Sequence, residues 1–388
     1  MKKILTIALT IFTAAMVAGQ TNSLILPSNI SLPKDSILKK QLLSDLNGFL
    51  SQKEKPNNEN TFVLKEDLLE ASILLDEIKD MEKNAKLKVD TFYKAYLTNS
   101  LRLNDSTYKI QFAYLGVNEG VPLLRANFTI IAQEKGNQFY FRSPLKQNTI
   151  TWKSQNIGNT KVYFKNNLNT ARANECFKLT DEFDKKLNAP IRPTEFYCCD
   201  NFSEALQLIG VDYKADYNGK NFNTLTAKEN DINLVMNGTL TSDFTAFDPH
   251  DLWHSRLHNV VSTSIINKPV DEGTAFLYGG SWGLTWQQIS DKFKTYAAAN
   301  PNADWLTLYN EGKNFDEGAK FPLNIDYTIN ALIVKKIEKE KGFPSVIELV
   351  SCGKYQKDND NYFKALEKIT GISKANFSAN VWTLINAN

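Results

Sequence analysis

All three histidines of this 388-residue chain sit in one short segment, Asp248-Pro249-His250-Asp251-Leu252-Trp253-His254-Ser255-Arg256-Leu257-His258. They recur in steps of four, and on an α-helix that spacing stacks side chains along one face. Helix onset is well marked, because Asp248 is a strong N-cap residue and Pro249 suits the first helical position. Two imidazoles one turn apart can both reach a single metal ion. This is the geometry of the His-Glu-x-x-His zinc pattern, in which the Glu after the first His is the general base of a hydrolysis. Two registers fit the spacing. In the first, His254 and His258 are the ligands and Ser255 occupies the base position. In the second, His250 and His254 are the ligands and Asp251 occupies it. His250 and Asp251 fall in the first turn, where an acidic side chain commonly complements the helix dipole. His254 and His258 lie deeper, on firmer backbone, so the first register is preferred and the second is the alternative. A third reading is structural, with the histidines only packing and hydrogen-bonding.

A third ligand should come from a following helix. Asp271-Glu272-Gly273-Thr274-Ala275-Phe276-Leu277-Tyr278 supplies a carboxylate at Glu272, which could otherwise serve only as a cap of its own helix. With the stretch NKPVDEGTAFLYGG, residues 166–388 resemble the gluzincin (peptidase MA-like) zinc metallopeptidases, which carry a two-histidine helix followed by a helix opening with Glu-Gly. Tyr327 to Gly342 resembles the next long helix of that family. Ala365 to Trp382, with its Thr370-Gly371-Ile372 turn, resembles the closing pattern. The resemblance implies Glu272 as third zinc ligand and a cleft shaped for an extended peptide or protein ligand. It also exposes a departure. Ser255 cannot serve as a base near neutral pH, and losing a general base costs about 10²–10⁴-fold in rate. The expected function is therefore a zinc-binding peptidase homologue, inactive or very slow, with a binding or structural role. The alternative is an active zinc metallopeptidase with Asp251 or another group as base. Tyr327 is a further catalytic candidate, because a phenol aimed at the site could stabilise developing charge.

These residues need elements to position them, and the chain is long enough for two domains. The pattern predicts an α+β fold: a small helix-plus-antiparallel-sheet domain, then a gluzincin-like α+β domain with a mainly helical C-terminal part. Residues 20–60 read as leader and linker, ending in the polar run Gln52 to Asn60. Leu64, Leu68, Ile73, Leu75 and Ile78 recur at near-helical spacing. Alternating stretches at Tyr108–Leu115, Leu123–Ala132, Gln138–Arg142 and Thr149–Trp152 predict strands. They place the first domain at 61–165 and the second at 166–388. In the second, a helix is expected over Asn169–Leu187, strands over Thr194–Cys199 and Asp231–Met236, and a short helix over Ser203–Ile209. Gly279 to Trp286 is glycine-rich and aromatic but lacks phosphate-loop spacing, so it reads as a tight connection.

The N-terminus has the form of a signal peptide over residues 1–19. Lys2 and Lys3 precede the apolar run Ile4–Ala18, and cleavage is expected after Gly19. That implies export to a periplasmic or extracellular compartment. No later stretch is apolar enough for a membrane span. Export places Cys176, Cys198, Cys199 and Cys352 where disulfides form, and one of the adjacent pair could bond Cys176. Lys plus Arg number 45 against 43 Asp plus Glu, a net charge of +2. That balance gives no electrostatic reason to expect nucleic acid as a partner.

Overall fold

The structure is a computed structural model that describes residues 24–316, 320–356 and 358–387. The expected signal peptide at 1–19 lies outside these residues. The fold is α+β, with an antiparallel sheet early in the chain and a helical C-terminal part. Among the described residues no helix is long and apolar enough to cross a membrane.

The chain forms two compact units. Among the described residues the first comprises 24–150, 203–220 and 226–229, and the second 151–202, 221–225 and 230–387. The first unit opens with helices α1 (Ser36–Ser51) and α2 (Leu68–Ile78). Strands β1 (Lys94–Arg102), β2 (Thr107–Asn118), β3 (Val121–Lys135) and β4 (Gln138–Arg142) follow, then the short helix α3 (Leu145–Asn148). The four strands run antiparallel in the order β1-β2-β3-β4. The segment read as leader and linker is corrected here, because α1 is part of the core. Its Leu42, Leu46, Phe49 and Leu50 are buried at helical spacing. The Phe49 ring lies 5.0 Å from Phe141, and Asp45 accepts a hydrogen bond from the Phe139 amide at 2.7 Å.

The second unit starts with β5 (Lys153–Ile157) and β6 (Thr160–Phe164), then α4 (Thr170–Lys186) and β7 (Thr194–Cys198). The boundary therefore falls at residue 150 rather than 165, because β5 and β6 pair with each other and β6 with β7. The strand expected at Thr149–Trp152 starts only at Lys153. Helix α5 (Phe202–Ile209) and strand β8 (Val211–Lys214) come next, and β8 pairs with β3 of the first unit's sheet. The division into one block per domain is corrected accordingly. With β9 (Thr224–Glu229) and β10 (Ile232–Asn237), the second sheet has the order β5-β6-β7-β10-β9. β6 and β7 are parallel neighbours and α4 makes the crossover between them, as a parallel pair requires.

Among the described residues eight helices complete the second unit: α6 (Pro249–His258), α7 (Lys268–Gly279), α8 (Trp286–Ala299), α9 (Trp305–Glu311), α10 (Ile325–Lys341), α11 (Phe343–Val350), α12 (Asp360–Thr370) and α13 (Phe377–Ala387). Helix α10 is buried over almost all of Ile325–Val334, the mark of a central helix. Around it Trp253 and Leu257 of α6 join Val270, Ala275 and Phe276 of α7 in one apolar core.

The disulfide expectation is also corrected, because Cys176, Cys198, Cys199 and Cys352 form no disulfide. Cys176 on α4 and Cys198 on β7 belong to one apolar cluster with Phe177, Phe196 and Phe244. Burial pushes both thiols up to about 12, so they behave as small apolar side chains.

Candidate metal centre

Helix α6 forms where the cap residues place it. Asp248 accepts from the His250 amide at 2.9 Å, and Pro249 fills the first turn. Two contacts then fix the helix against rotation. Arg256 donates two 2.6 Å hydrogen bonds to Asp184 on α4. Three residues earlier on α6, Trp253 is fully buried, and its indole nitrogen donates to Thr274 of α7 at 2.7 Å.

Helix α7 approaches closely because it carries glycine where it must. A Cβ on Gly279 would stand 2.6 Å from the Pro249 carbonyl oxygen and 2.7 Å from the His250 backbone. A Cβ on Gly273 would meet the Asn330 Cβ at 2.5 Å and the Tyr327 carbonyl at 2.9 Å, both on α10. The Gly after Glu272 is thus explained by helix packing. Gly273→Ala is expected to cost about 1–3 kcal/mol through overpacking. A denaturant midpoint unchanged from the parent would contradict this account of the α7–α10 contact.

Three ligand atoms converge between α6 and α7. His250 Nε2 and His254 Nε2 are 3.1 Å apart, and Glu272 Oε2 lies 3.4 Å from the first and 3.7 Å from the second. Each ring is held from behind. His250 Nδ1 is 2.7 Å from the Gly280 carbonyl oxygen, and His254 Nδ1 is 2.7 Å from Asp271 Oδ1. A carbonyl can only accept, and so does an ionised carboxylate, so both Nδ1 atoms carry hydrogen. In the neutral rings, both Nε2 lone pairs then face one point beside a carboxylate oxygen. Two lone pairs at that separation repel unless a proton or a metal ion lies between them. The donor set of two imidazoles and a carboxylate could hold a metal ion, and the outer partners on Nδ1 are those that orient metal-binding histidines.

The charges agree. Burial alone would lower His254, but hydrogen bonds to Asp271 and Glu272 outweigh it and raise the ring to about 9. Burial favours neutral Glu272, yet the two histidines hold it down at about 2. The metal-free cluster is therefore a carboxylate with a protonated ring, and a cation binding there competes with that proton.

The structure thus brings together His250, His254 and Glu272, the set of the second register. It does not group His258 with Glu272. The His258 Nε2 instead lies 2.8 Å from Asp271 Oδ2, in a second grouping of His254, His258 and Asp271. Asp251 and Ser255 are one turn apart on the exposed side of α6. Tyr327, half-buried, lies in edge contact with Phe276 at 5.8 Å, and Phe276 is 5.8 Å from the His250 ring. Burial, with Glu272 and Asp326 adding to it, pushes the phenol up to about 12, so it remains a hydrogen-bond donor.

Three participants escaped the sequence: Asp271, the Gly280 carbonyl and Asp326. Asp271 could have been found, since a metal-binding histidine needs an acceptor behind it and a carboxylate stands beside Glu272. Asp326, in the first turn of α10, is buried and its Oδ1 lacks a hydrogen-bond partner. Burial, with a contribution from Glu272, lifts it from 3.8 to about 6. For an acid raised on folding, stability present below the unfolded pKa is lost as pH rises through the folded one. Asp326→Asn should therefore stabilise the metal-free protein at pH 8 by about 1–3 kcal/mol, with the gain vanishing by about pH 4. Melting temperatures across that range check this, and a gain independent of pH would refute it.

No family model and no curated protein matches the chain.

Proposed function

We propose that the second unit is a zinc centre of the metallopeptidase type, with His250, His254 and Glu272 as ligands and weak hydrolytic activity on peptides. The observation that carries this reading is the convergence of His250 Nε2, His254 Nε2 and Glu272 Oε2, with both Nδ1 atoms tied back to acceptors. Resemblance of the Glu-Gly helix to that of gluzincins points the same way. Zinc bound there supplies Lewis-acid polarisation of a substrate carbonyl and of water.

The chain's own groups supply the rest. In this register Asp251 follows the first ligand and takes the base position. It accepts a proton from the attacking water and delivers it to the leaving amine. Its carboxylate is one methylene shorter than a glutamate, which keeps the rate low. Tyr327 stays protonated and donates toward charge developing on the substrate. The exposed Trp282 ring, stacked on Phe321 at 4.3 Å, follows Gly280 by two residues and offers an aromatic surface for a substrate side chain. Export from the cell, with a periplasmic or extracellular peptide or protein as ligand, completes the proposal.

Metal analysis of the purified full chain tests it. About one zinc per chain, with chelator-sensitive peptide hydrolysis, is expected. Failure to take up zinc after supplementation would leave only packed histidines.

A further inference from the structure

His258 is the one histidine outside the proposed ligand set, yet it is not idle. Its Nε2 lies 2.8 Å from Asp271 Oδ2, while the other oxygen of the same carboxylate lies 2.7 Å from His254 Nδ1. Asp271 is buried between the two rings, whereas the His258 side chain is 36% exposed at the C-terminal end of α6. The carboxylate therefore has one donor on each oxygen, both from the same helix face. An Asp holding His254 alone could swing about its χ angles, and its hydrogen bond to His254 would loosen. A second donor on the far oxygen fixes the carboxylate plane, and that plane sets the direction of His254 Nε2.

We infer that His258 is a positioning residue, acting through Asp271 to hold His254 Nε2 toward the metal, and is not itself a ligand. This rests on the ligand set proposed above. His258 Nε2 is used up as donor to Asp271, and His254 has only one atom, Nε2, facing Glu272. The grouping of His254, His258 and Asp271 is then the outer support of one centre, and the helix holds one ion rather than two.

The test is titration of the metal-free full chain with Zn²⁺, and with Co²⁺ followed by visible absorption, in the parent, His258→Leu and His258→Gln. Glutamine places an amide N–H near the position of the imidazole Nε2 and keeps the hydrogen bond. Leucine removes it. The expected result is one metal per chain at saturation in all three. Affinity falls roughly 10–100-fold in the leucine variant and mostly recovers in the glutamine variant. The Co²⁺ spectrum should be altered only in the leucine variant. His258→Ser serves as second donor-poor variant should leucine disturb folding, which circular dichroism of the metal-free chain reveals. Parental affinity in the leucine and serine variants would overturn the inference. So would loss of the metal at saturation, which would make His258 a ligand. A glutamine variant as weak as leucine would show that no hydrogen bond is involved. Absence of metal on the parent is a separate outcome, and it removes the ligand set and this inference together.

Discussion

His250→Ala is expected to abolish metal binding at micromolar zinc, whereas His258→Ala retains one metal per chain. The contrast is large because the two residues do different things. Removing His250 leaves one imidazole and one carboxylate, a set that no longer closes around a cation. The loss should exceed the roughly 100-fold upper end seen when an outer partner is removed. It also frees the Gly280 carbonyl from its hydrogen bond and leaves Glu272 with one histidine neighbour instead of two. His254→Ala should match it, since His254 contributes the second converging nitrogen. Metal content by elemental analysis, with zinc titration of each variant, reads the result. Stabilisation follows the same order: zinc in excess should raise the melting temperature of the parent and of His258→Ala, and leave His250→Ala unmoved. Metal retained by His250→Ala but lost by His258→Ala would restore the first register and overturn the site described here.

The histidine spacing and the helix that carries it could be read from the chain, because a cap, a proline and a period of four are local signals. The register could not. His254 and His258 looked better placed because they lie deeper in α6. In the proposed ligand set His250 is oriented by the Gly280 carbonyl, thirty residues on and brought into place by the turn after α7. What diverts His258 is Asp271, read only as the neighbour of a ligand. Such choices depend on how close two helices come, and here that depends on Gly273 and Gly279. The same limit appears in the fold. The apolar stretches of β2, β3 and β4 predict strands, although only β4 alternates throughout, since β3 buries a continuous run from Phe128 to Ala132. β1 was missed because its burial pattern is mostly exposed and half-buried, with only Leu97 buried. α1 falls within the expected linker although Leu42, Leu46, Phe49 and Leu50 form an apolar stripe, because the polar run after it is the stronger local signal. That β8 belongs to the first sheet is a pairing across more than eighty residues, which no local pattern announces.

The largest catalytic effect is expected at Asp251. If its carboxylate is the base, Asp251→Asn should lower peptide hydrolysis by about 10²–10⁴-fold while leaving metal content unchanged. The amide preserves shape and polarity but cannot take up the proton, so the loss falls on turnover rather than on binding of the metal. Asp251→Glu is expected to move the other way and raise the rate above that of the parent, because the added methylene restores the reach that a base beside the first ligand requires. Ser255→Glu separates the registers. It stands one turn further along α6, beside His254, and should leave the rate unchanged if His250 is the first ligand. In the other register it would be the substitution that restores activity. Rates measured with a quenched peptide substrate, each variant with matched metal content and a chelated control, give the answer. A parent and an Asp251→Glu variant both at background, with zinc bound in each, would mean that the centre holds metal without hydrolysing peptides. The ligand geometry would then stand, with Asp251 removed from it as a base.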